Sequence, residues 1–464
     1  MHELAGSPQR VASPDLARRA FARVRTGSLA VDAVIVSAVA LGLGLIQLGA
    51  PSLWFDEALT AEEITWRYSR SLEGLYWLYY TIEKPWAAVA GYSEWSLRLP
   101  SVVATMLSGV LMIVLARRMA FDRRVALLSG LFLVTSPFVV KWSQQARGYT
   151  MLLALSLLAT ILLARALERG SRGAFALYGL SVAAIFVWHP VGGLVLAVPH
   201  LVLVSQRRER LLPHGLVAAA IVLAVGVPWS AQVTMRSAGE NAVMSWLQYP
   251  TLEAVSRGVL EISGAGWFGI VLALVGLWVL WRASQRDRAT WLAVWAFSPF
   301  AVVLVVSIVQ PIYLDRYLIA AAPAFAVLAA IAVTGVARRL GATLLVLAAA
   351  TTAVALIQWY AYPASANWRG EDWRAASEFV TERADGTAAV VVPWSASPAA
   401  EYYGADVVSV STADAIWVVT WSETGHRLPP DERAPLGFGE HRLVERHDFG
   451  WRVSAQLWKR PGTP

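Results

Sequence analysis

Eleven apolar runs, separated by short polar loops, decide what this chain can become. They lie near residues 29–50, 99–117, 124–140, 148–166, 173–188, 191–205, 213–230, 265–282, 289–309, 317–336 and 341–361. Most approach the ~20 apolar residues that carry a helix across a bilayer, and shorter ones are tolerated. The two runs beside Trp188-His189-Pro190 are short, and Pro190 and Gly193 suggest a tight hairpin between them. Only 15% of the 464 residues are charged, against about a quarter in a soluble domain, which excludes a soluble enzyme. Cysteine is absent, which removes disulfides, thiol nucleophiles, thiolate zinc sites and cysteine lipidation. The expected fold class is an all-α polytopic membrane protein.

The loops give the orientation. Arginines gather at 10, 18, 19, 23 and 25, then at 117, 118, 123 and 124, at 165, 169 and 172, at 207, 208 and 210, at 282, 286 and 288, and at 338 and 339. Every second loop is therefore Arg-rich, the positive-inside pattern for a cytoplasmic N-terminus and an odd number of spans. The net charge of +7 and the pI near 9.7 thus follow from topology and do not call for a nucleic-acid partner. Residues 1–28 are expected to be a basic cytoplasmic tail, and 29–50 a signal anchor because its apolar run outlasts an h-region. The spans make one unit, 29–362, with no internal repeat of the transporter kind.

Residues 363–464 change character. They carry 14 acidic and 10 basic residues, a net −4, while the rest of the chain is +11. A helix is expected at 371–384, followed by β-branched strand patterns at 388–394, 407–411 and 415–421. A hairpin pairing 441–448 with 450–459 completes a small extracytoplasmic α/β domain.

On this orientation the outer face collects Asp56, Glu57, Lys84, Glu94, Lys141, Arg147, His189, Arg236, Glu240, Glu253, Asp315 and Arg316. Lysine occurs only at 84, 141 and 459, all assigned to the outside against the topological bias, which points to an anionic ligand. The first outer loop, 51–98, opens with Leu53-Trp54-Phe55-Asp56-Glu57. It continues through interfacial aromatics, among them Trp66, Tyr68, Tyr76, Trp77, Tyr79 and Tyr80, to Lys84-Pro85, which interrupts its second helical pattern. A second outer loop, 231–264, holds Arg236, Glu240, Glu253, Arg257 and Glu261 and is expected to form an acceptor entrance.

An Asp-Glu pair just after the first span, Lys84-Pro85 about thirty residues on and Leu97-Arg98-Leu99-Pro100-Ser101 entering the second span resemble the GT-C glycosyltransferases. Ser143-Gln144-Gln145-Ala146-Arg147-Gly148-Tyr149 and Asp315-Arg316-Tyr317-Leu318 fit the same resemblance, as does Asp372-Trp373-Arg374 at the start of the last domain. Within that group the motifs resemble the polyprenyl-phosphate-sugar enzymes, including protein O-mannosyltransferases and lipid A aminoarabinose transferases. Trp86 stands where such enzymes often carry a second proline. The resemblance implies transfer of a sugar, mannose by expectation, from a polyprenyl-phosphate donor to an extracytoplasmic glycolipid, polysaccharide or protein. It maps Asp56 to the base, with Glu57 second, and implies inversion by single displacement. Lys84, Arg147 and Arg316 would bind the donor phosphate. No cofactor is chemically required, although a divalent metal held by Asp56, Glu57 and His189 stays open.

Each of these residues has a structural alternative. Asp56 or Glu57 could cap the helix that follows, Lys84 could snorkel to the interface, and Arg147 and Arg316 could contact headgroups. Arg98 reads as a tie between loop and span, His189 as an exposed polar residue at a hairpin tip, and Asp315 as a further site residue. A transporter or flippase of lipid-linked sugars is the alternative function, and it expects ionisable groups at mid-span.

Overall fold

The computed structural model describes residues 26–65, 77–206, 212–237, 247–361, 370–383, 389–392, 394–408, 413–422 and 441–462. The basic tail up to residue 25, Trp66, Tyr68, Tyr76 and Glu240 lie outside them. The apolar runs fold as helices in the expected order. The first part of the chain gives α1 (Thr26–Leu45), α2 (Phe55–Thr65), α3 (Trp77–Ala90), α4 (Glu94–Arg118), α5 (Arg123–Thr135), α6 (Pro137–Ser143) and α7 (Tyr149–Arg169). Then come α8 (Arg172–Trp188), α9 (Pro190–Ser205), α10 (Leu212–Ile221), α11 (Val227–Ser237), α12 (Leu252–Ile262), α13 (Trp267–Arg282) and α14 (Arg286–Ser307). A 3-10 segment, Asp315–Ala321, leads into α15 (Ala322–Gly335), and α16 (Arg338–Tyr360) is the last of the apolar helices.

Among the described residues six helices are each long and apolar enough to cross a membrane, counting α10 with α11 and the 3-10 segment with α15. Two bent pairs, α5–α6 and α12–α13, would add two more crossings. The shorter apolar helices α1, α8 and α9 occupy the remaining expected positions. The chain is a multi-pass membrane protein.

Two local features, at Pro137 and at Pro85, differ from the sequence expectation. The run at 124–140 is not straight, because it breaks at Ser136-Pro137 and bends by 58° into α6. Proline there removes an N–H and turns the preceding residue away from the helical region. The second break, between α12 and α13, bends by 66° and passes through Gly264 and Gly266, both at positive φ. In contrast, α3 runs through Pro85 without stopping. That proline forfeits one backbone bond, and the inward-facing Tyr79, Tyr80, Glu83 and Ala87 keep the helix packed.

Close approach of small residues sets the packing inside the bundle. A Cβ at Gly109 of α4 would lie 2.4 Å from Val36 of α1 and 2.6 Å from Val134 of α5. The Ala-rich α15 sits at the centre and α16 at the edge: 89% of the apolar window ending in α15 is buried, against 17% for α16.

The C-terminal segment forms a helix, α17 (Trp373–Arg383), and a short one, α18 (Ser397–Tyr402), against five strands. These are β1 (Ala389–Val392), β2 (Val407–Val408), β3 (Ala415–Trp421), β4 (Arg442–Phe449) and β5 (Val453–Lys459), in the order β2-β1-β3-β5-β4. β1 pairs in parallel with β2 and β3, and the β4–β5 hairpin closes antiparallel against β3. One face of this sheet packs on Trp373, Ala376 and Val380 of α17.

Candidate active site

The site is built at the N-terminus of α2, where the adjacent carboxylates of Asp56 and Glu57 point to different partners. Glu57 is fully buried and meets Arg98 of α4 in a two-pronged pair, Nε to Oε1 at 2.8 Å and Nη2 to Oε2 at 2.7 Å. Its oxygens also accept the N–H groups of Trp54 at 3.3 Å and Ala146 at 2.6 Å. Arg98 spends its other donors on the carbonyls of Leu48, Pro51 and Ser52. All five N–H groups of its fork are therefore used. Arg98 and Glu57 together join the end of α1, the start of α2, the second span and the turn before α7.

That turn delivers Arg147. Its Nη1 donates to the Asp56 carbonyl and to Thr60 Oγ1, both at 3.2 Å, and its Nη2 lies 3.9 Å from Asp56 Oδ2. Arg316 arrives from the 3-10 segment, with Nη2 3.6 Å from the same Oδ2 and Nε donating to Tyr149 Oη at 3.0 Å. Both ion-pair distances exceed hydrogen-bond length. The rings of Trp54, Trp142, Tyr149 and Tyr317 surround the Arg316 guanidinium, each centroid 5.7 to 5.8 Å away. Aromatic faces attract a cation and fix its position. Both arginines are buried, while Asp56 keeps 19% of its side chain exposed. The arrangement is a partly exposed carboxylate with two buried, fixed cations behind it.

Of the other expected residues, Asp315 and His189 lie beside this centre. Asp315 turns one oxygen back to the Arg316 N–H at 2.7 Å, and the other lies 4.0 Å from Lys141, which also faces Glu261 at 3.5 Å. Lys84 is half-buried on α3, the helix that brings Tyr79 and Tyr80 inward. His189 is not exposed at a hairpin tip. It forms a one-residue extended break between α8 and α9, 2% exposed, and its Nδ1 accepts the Gly192 N–H at 3.3 Å to cap α9. Its ring packs on Tyr317 at 4.4 Å. Among the described residues no group of three His, Asp or Glu side chains is arranged to hold a metal ion.

Several contributors carried no individual signal in the sequence. Tyr149 and Tyr317 stood inside the quoted motifs, but only the fold shows them flanking Arg316. Tyr80 contacts Arg147 from α3, and Thr60 sits one helical turn after Asp56. Position i+4 on a helix that begins with a functional acid is the one cue that could have found Thr60.

Two buried groups give the fold opposite responses to pH. Burial, reinforced by Arg316 and Arg147, pushes the His189 imidazole from 6.5 down to about 3. Burial pushes the Glu83 carboxyl from 4.5 up to about 8 beside Tyr79. Between about pH 3 and 6.5 the unfolded chain binds the His189 proton and the folded one does not, so this group destabilises the fold as pH falls. Between 4.5 and 8 the folded chain keeps the Glu83 proton that the unfolded chain has lost, so stability falls as pH rises. Melting of the purified protein from pH 4 to 8 should therefore lose its alkaline decline in Glu83→Gln and its acid decline in His189→Asn. Unchanged slopes in both variants would contradict these assignments.

The model of the dolichyl-phosphate-mannose-protein mannosyltransferase family matches residues 78–231. That stretch includes Lys84, Arg98, Arg147 and His189 and stops short of Asp56 and Arg316 at either end. The crystal structure of ArnT from Cupriavidus metallidurans in the apo state superposes with a TM-score of 0.62, covering 91% of this chain and 97% of that one at 16% identity. The chain shares the fold of that protein. The same protein bound to undecaprenyl phosphate gives a TM-score of 0.61 at 16% identity, again covering 91% and 97% of the two chains. The apo oligosaccharyltransferase of Archaeoglobus fulgidus gives 0.51 at 13% identity, covering 83% of this chain and 65% of that one.

Among curated sequences, the undecaprenyl phosphate-α-4-amino-4-deoxy-L-arabinose arabinosyl transferase of Pseudomonas paraeruginosa is 30% identical over 237 residues, 46% of this chain. The enzyme of the same name from Pectobacterium carotovorum is 27% identical over 195 residues, 40% of this chain and 34% of the relative. The aligned part spans 42% of the length of the Pseudomonas relative, so the shared fold extends over far more of the chain than the sequence relationship to these relatives.

Proposed function

We propose that this protein is an inverting glycosyltransferase that moves a sugar from a polyprenyl-phosphate donor to a hydroxyl on an extracytoplasmic acceptor. The observation that carries the reading is the convergence of one partly exposed carboxylate, Asp56, with two buried guanidinium groups, Arg147 and Arg316. Asp56 takes the proton of the acceptor hydroxyl. The hydroxyl oxygen bonds to the anomeric carbon as the bond from that carbon to the phosphate oxygen breaks. The electron pair leaves with polyprenyl phosphate, whose charge Arg147 and Arg316 stabilise, with Lys84 as a third cation. A single displacement inverts the anomeric centre. The donor is already activated as a phosphodiester, so the proposed chemistry draws on no metal.

The aminoarabinose transferases among the relatives and the undecaprenyl phosphate bound to a neighbour in fold both support a polyprenyl-phosphate donor. The sugar is a finer matter. Mannose is our expectation from the resemblance and is the sugar named by the matching family model, whereas the curated relatives transfer 4-amino-4-deoxy-L-arabinose. A transporter of lipid-linked sugars is not favoured, because these relatives are transferases and the carboxylate and cations meet at helix ends and not at mid-span.

The test is release of polyprenyl phosphate by the purified full chain from a panel of donors carrying mannose, 4-amino-4-deoxy-L-arabinose or glucose, with an envelope extract as acceptor. Release from one donor above the others, dependent on the extract, is the expected result. Transbilayer movement of an intact donor without release would reverse the reading in favour of the transporter.

A further inference from the structure

The turn that presents Asp56 is held from the far end of the chain. Three consecutive N–H groups, those of Leu53, Trp54 and Phe55, precede Asp56 as the chain enters α2, ahead of any turn of that helix that could supply their acceptors. The middle one, Trp54, is answered locally by Glu57. The other two are answered by the C-terminal unit. Tyr403 Oη accepts the Leu53 N–H at 2.7 Å across 350 residues, and Glu371 Oε2 accepts the Phe55 N–H at 2.9 Å across 316 residues.

Glu371 is fixed within the C-terminal unit, and Tyr403 is fixed between that unit and the start of α4. Glu371 is fully buried, its Oε2 also takes the Trp373 indole N–H at 3.0 Å, and its Oε1 faces Arg452 at 3.8 Å. Its backbone bridges to Gly450, where only glycine fits: φ is +79° and a Cβ would lie 2.1 Å from the Gly370 carbonyl oxygen. Tyr403 donates to Glu94 Oε1 at 3.0 Å, and Glu94 pairs with Arg374, which also reaches the Ala50 carbonyl at 3.0 Å. Apolar contact reinforces the polar clamp. The Phe55 ring stacks on Trp421 with centroids 4.6 Å apart, and Ala58 is buried in the same cluster as the sheet core. The side chain of Asp56 itself points the other way, toward Arg147 and Arg316.

We propose that Glu371 and Tyr403 are positioning residues for Asp56, so that the C-terminal unit is a working part of the transfer site. This rests on the transferase reading above. An acid that must meet a hydroxyl within hydrogen-bond reach tolerates little displacement, and a shift of about 1 Å can cost on the order of 100-fold in rate. Glu371 and Arg374 bracket the Asp372-Trp373 pair, which gives that sequence motif a physical role.

The test compares Glu371→Ala, Glu371→Gln and Tyr403→Phe with wild type in the full-length protein. Glu371→Ala and Tyr403→Phe should each lower kcat about 10- to 100-fold with KM for the donor within about threefold of wild type. Glu371→Gln keeps an oxygen for the Phe55 N–H and should recover most of the loss, which a role confined to fold stability does not predict. Hydrogen exchange over residues 50–58 supplies a readout independent of turnover: exchange there should quicken in Glu371→Ala while α7 and α15 stay protected. Unchanged exchange at 50–58, or wild-type kcat in folded Glu371→Ala and Tyr403→Phe, would overturn the proposal. If no donor is turned over by wild type but exchange responds as expected, the clamp stands and the transferase reading fails.

Discussion

Replacing Asp56 by Asn should lower donor turnover by about 10²- to 10⁴-fold, the range a positioned general base supplies, while donor binding stays close to wild type. The amide keeps the shape of the side chain but cannot accept a proton at neutral pH. Both guanidinium groups lose their anionic neighbour in the variant, which leaves them at least as attractive to a phosphate. The expected signature is therefore a fall in kcat without a rise in KM. Glu57 offers no substitute: each of its oxygens is already held by Arg98 and by a backbone N–H. Measurement of kcat and KM on one donor decides the matter, and an equal loss in Glu57→Gln through kcat alone, in a folded protein, would move the base.

Removing Arg98 should damage the fold itself. Arg98→Met leaves the Glu57 carboxylate buried without its counter-charge and orphans the carbonyls of Leu48, Pro51 and Ser52. Breaking such a pair from one side typically costs about 3–5 kcal/mol, enough to depress the yield of folded protein sharply. The double variant Arg98→Met with Glu57→Gln removes both charges and should recover part of that loss, since the penalty comes largely from the charge left behind. Thermal melting of the single and double variants in detergent checks this. A double variant no more stable than Arg98→Met would show that the pair matters for its hydrogen bonds to the loop more than for its charges.

The order of the spans was legible in the sequence because hydrophobic length and arginine spacing report directly on a bilayer. The C-terminal strands were legible for a similar reason, as β-branched runs between turn residues. What stayed hidden was contact between distant segments. Nothing in Asp56-Glu57 as a string says that the second acid meets Arg98 while the first faces Arg147 and Arg316, because the helix start turns adjacent side chains to different sides. His189 reads as an exposed polar residue since its flanking helices end there, yet Tyr317 and the cap on α9 bury it. Pro85 looked like a break and is absorbed, while Pro137 makes a bend within an apparently continuous apolar run. Glu371 had no local signature at all, because its partner lies 316 residues away.

Arg147 and Arg316, the two cations behind Asp56, are expected to receive a lipid phosphate. The most direct measurement is binding of polyprenyl monophosphate, against the matching polyprenyl alcohol, to wild type and to the double variant Arg147→Met with Arg316→Met, by thermal shift or native mass spectrometry. Wild type should bind the phosphate well above the alcohol, and the double variant should lose that difference. Equal binding of phosphate and alcohol by wild type, or a preference that survives loss of both arginines, would contradict that role.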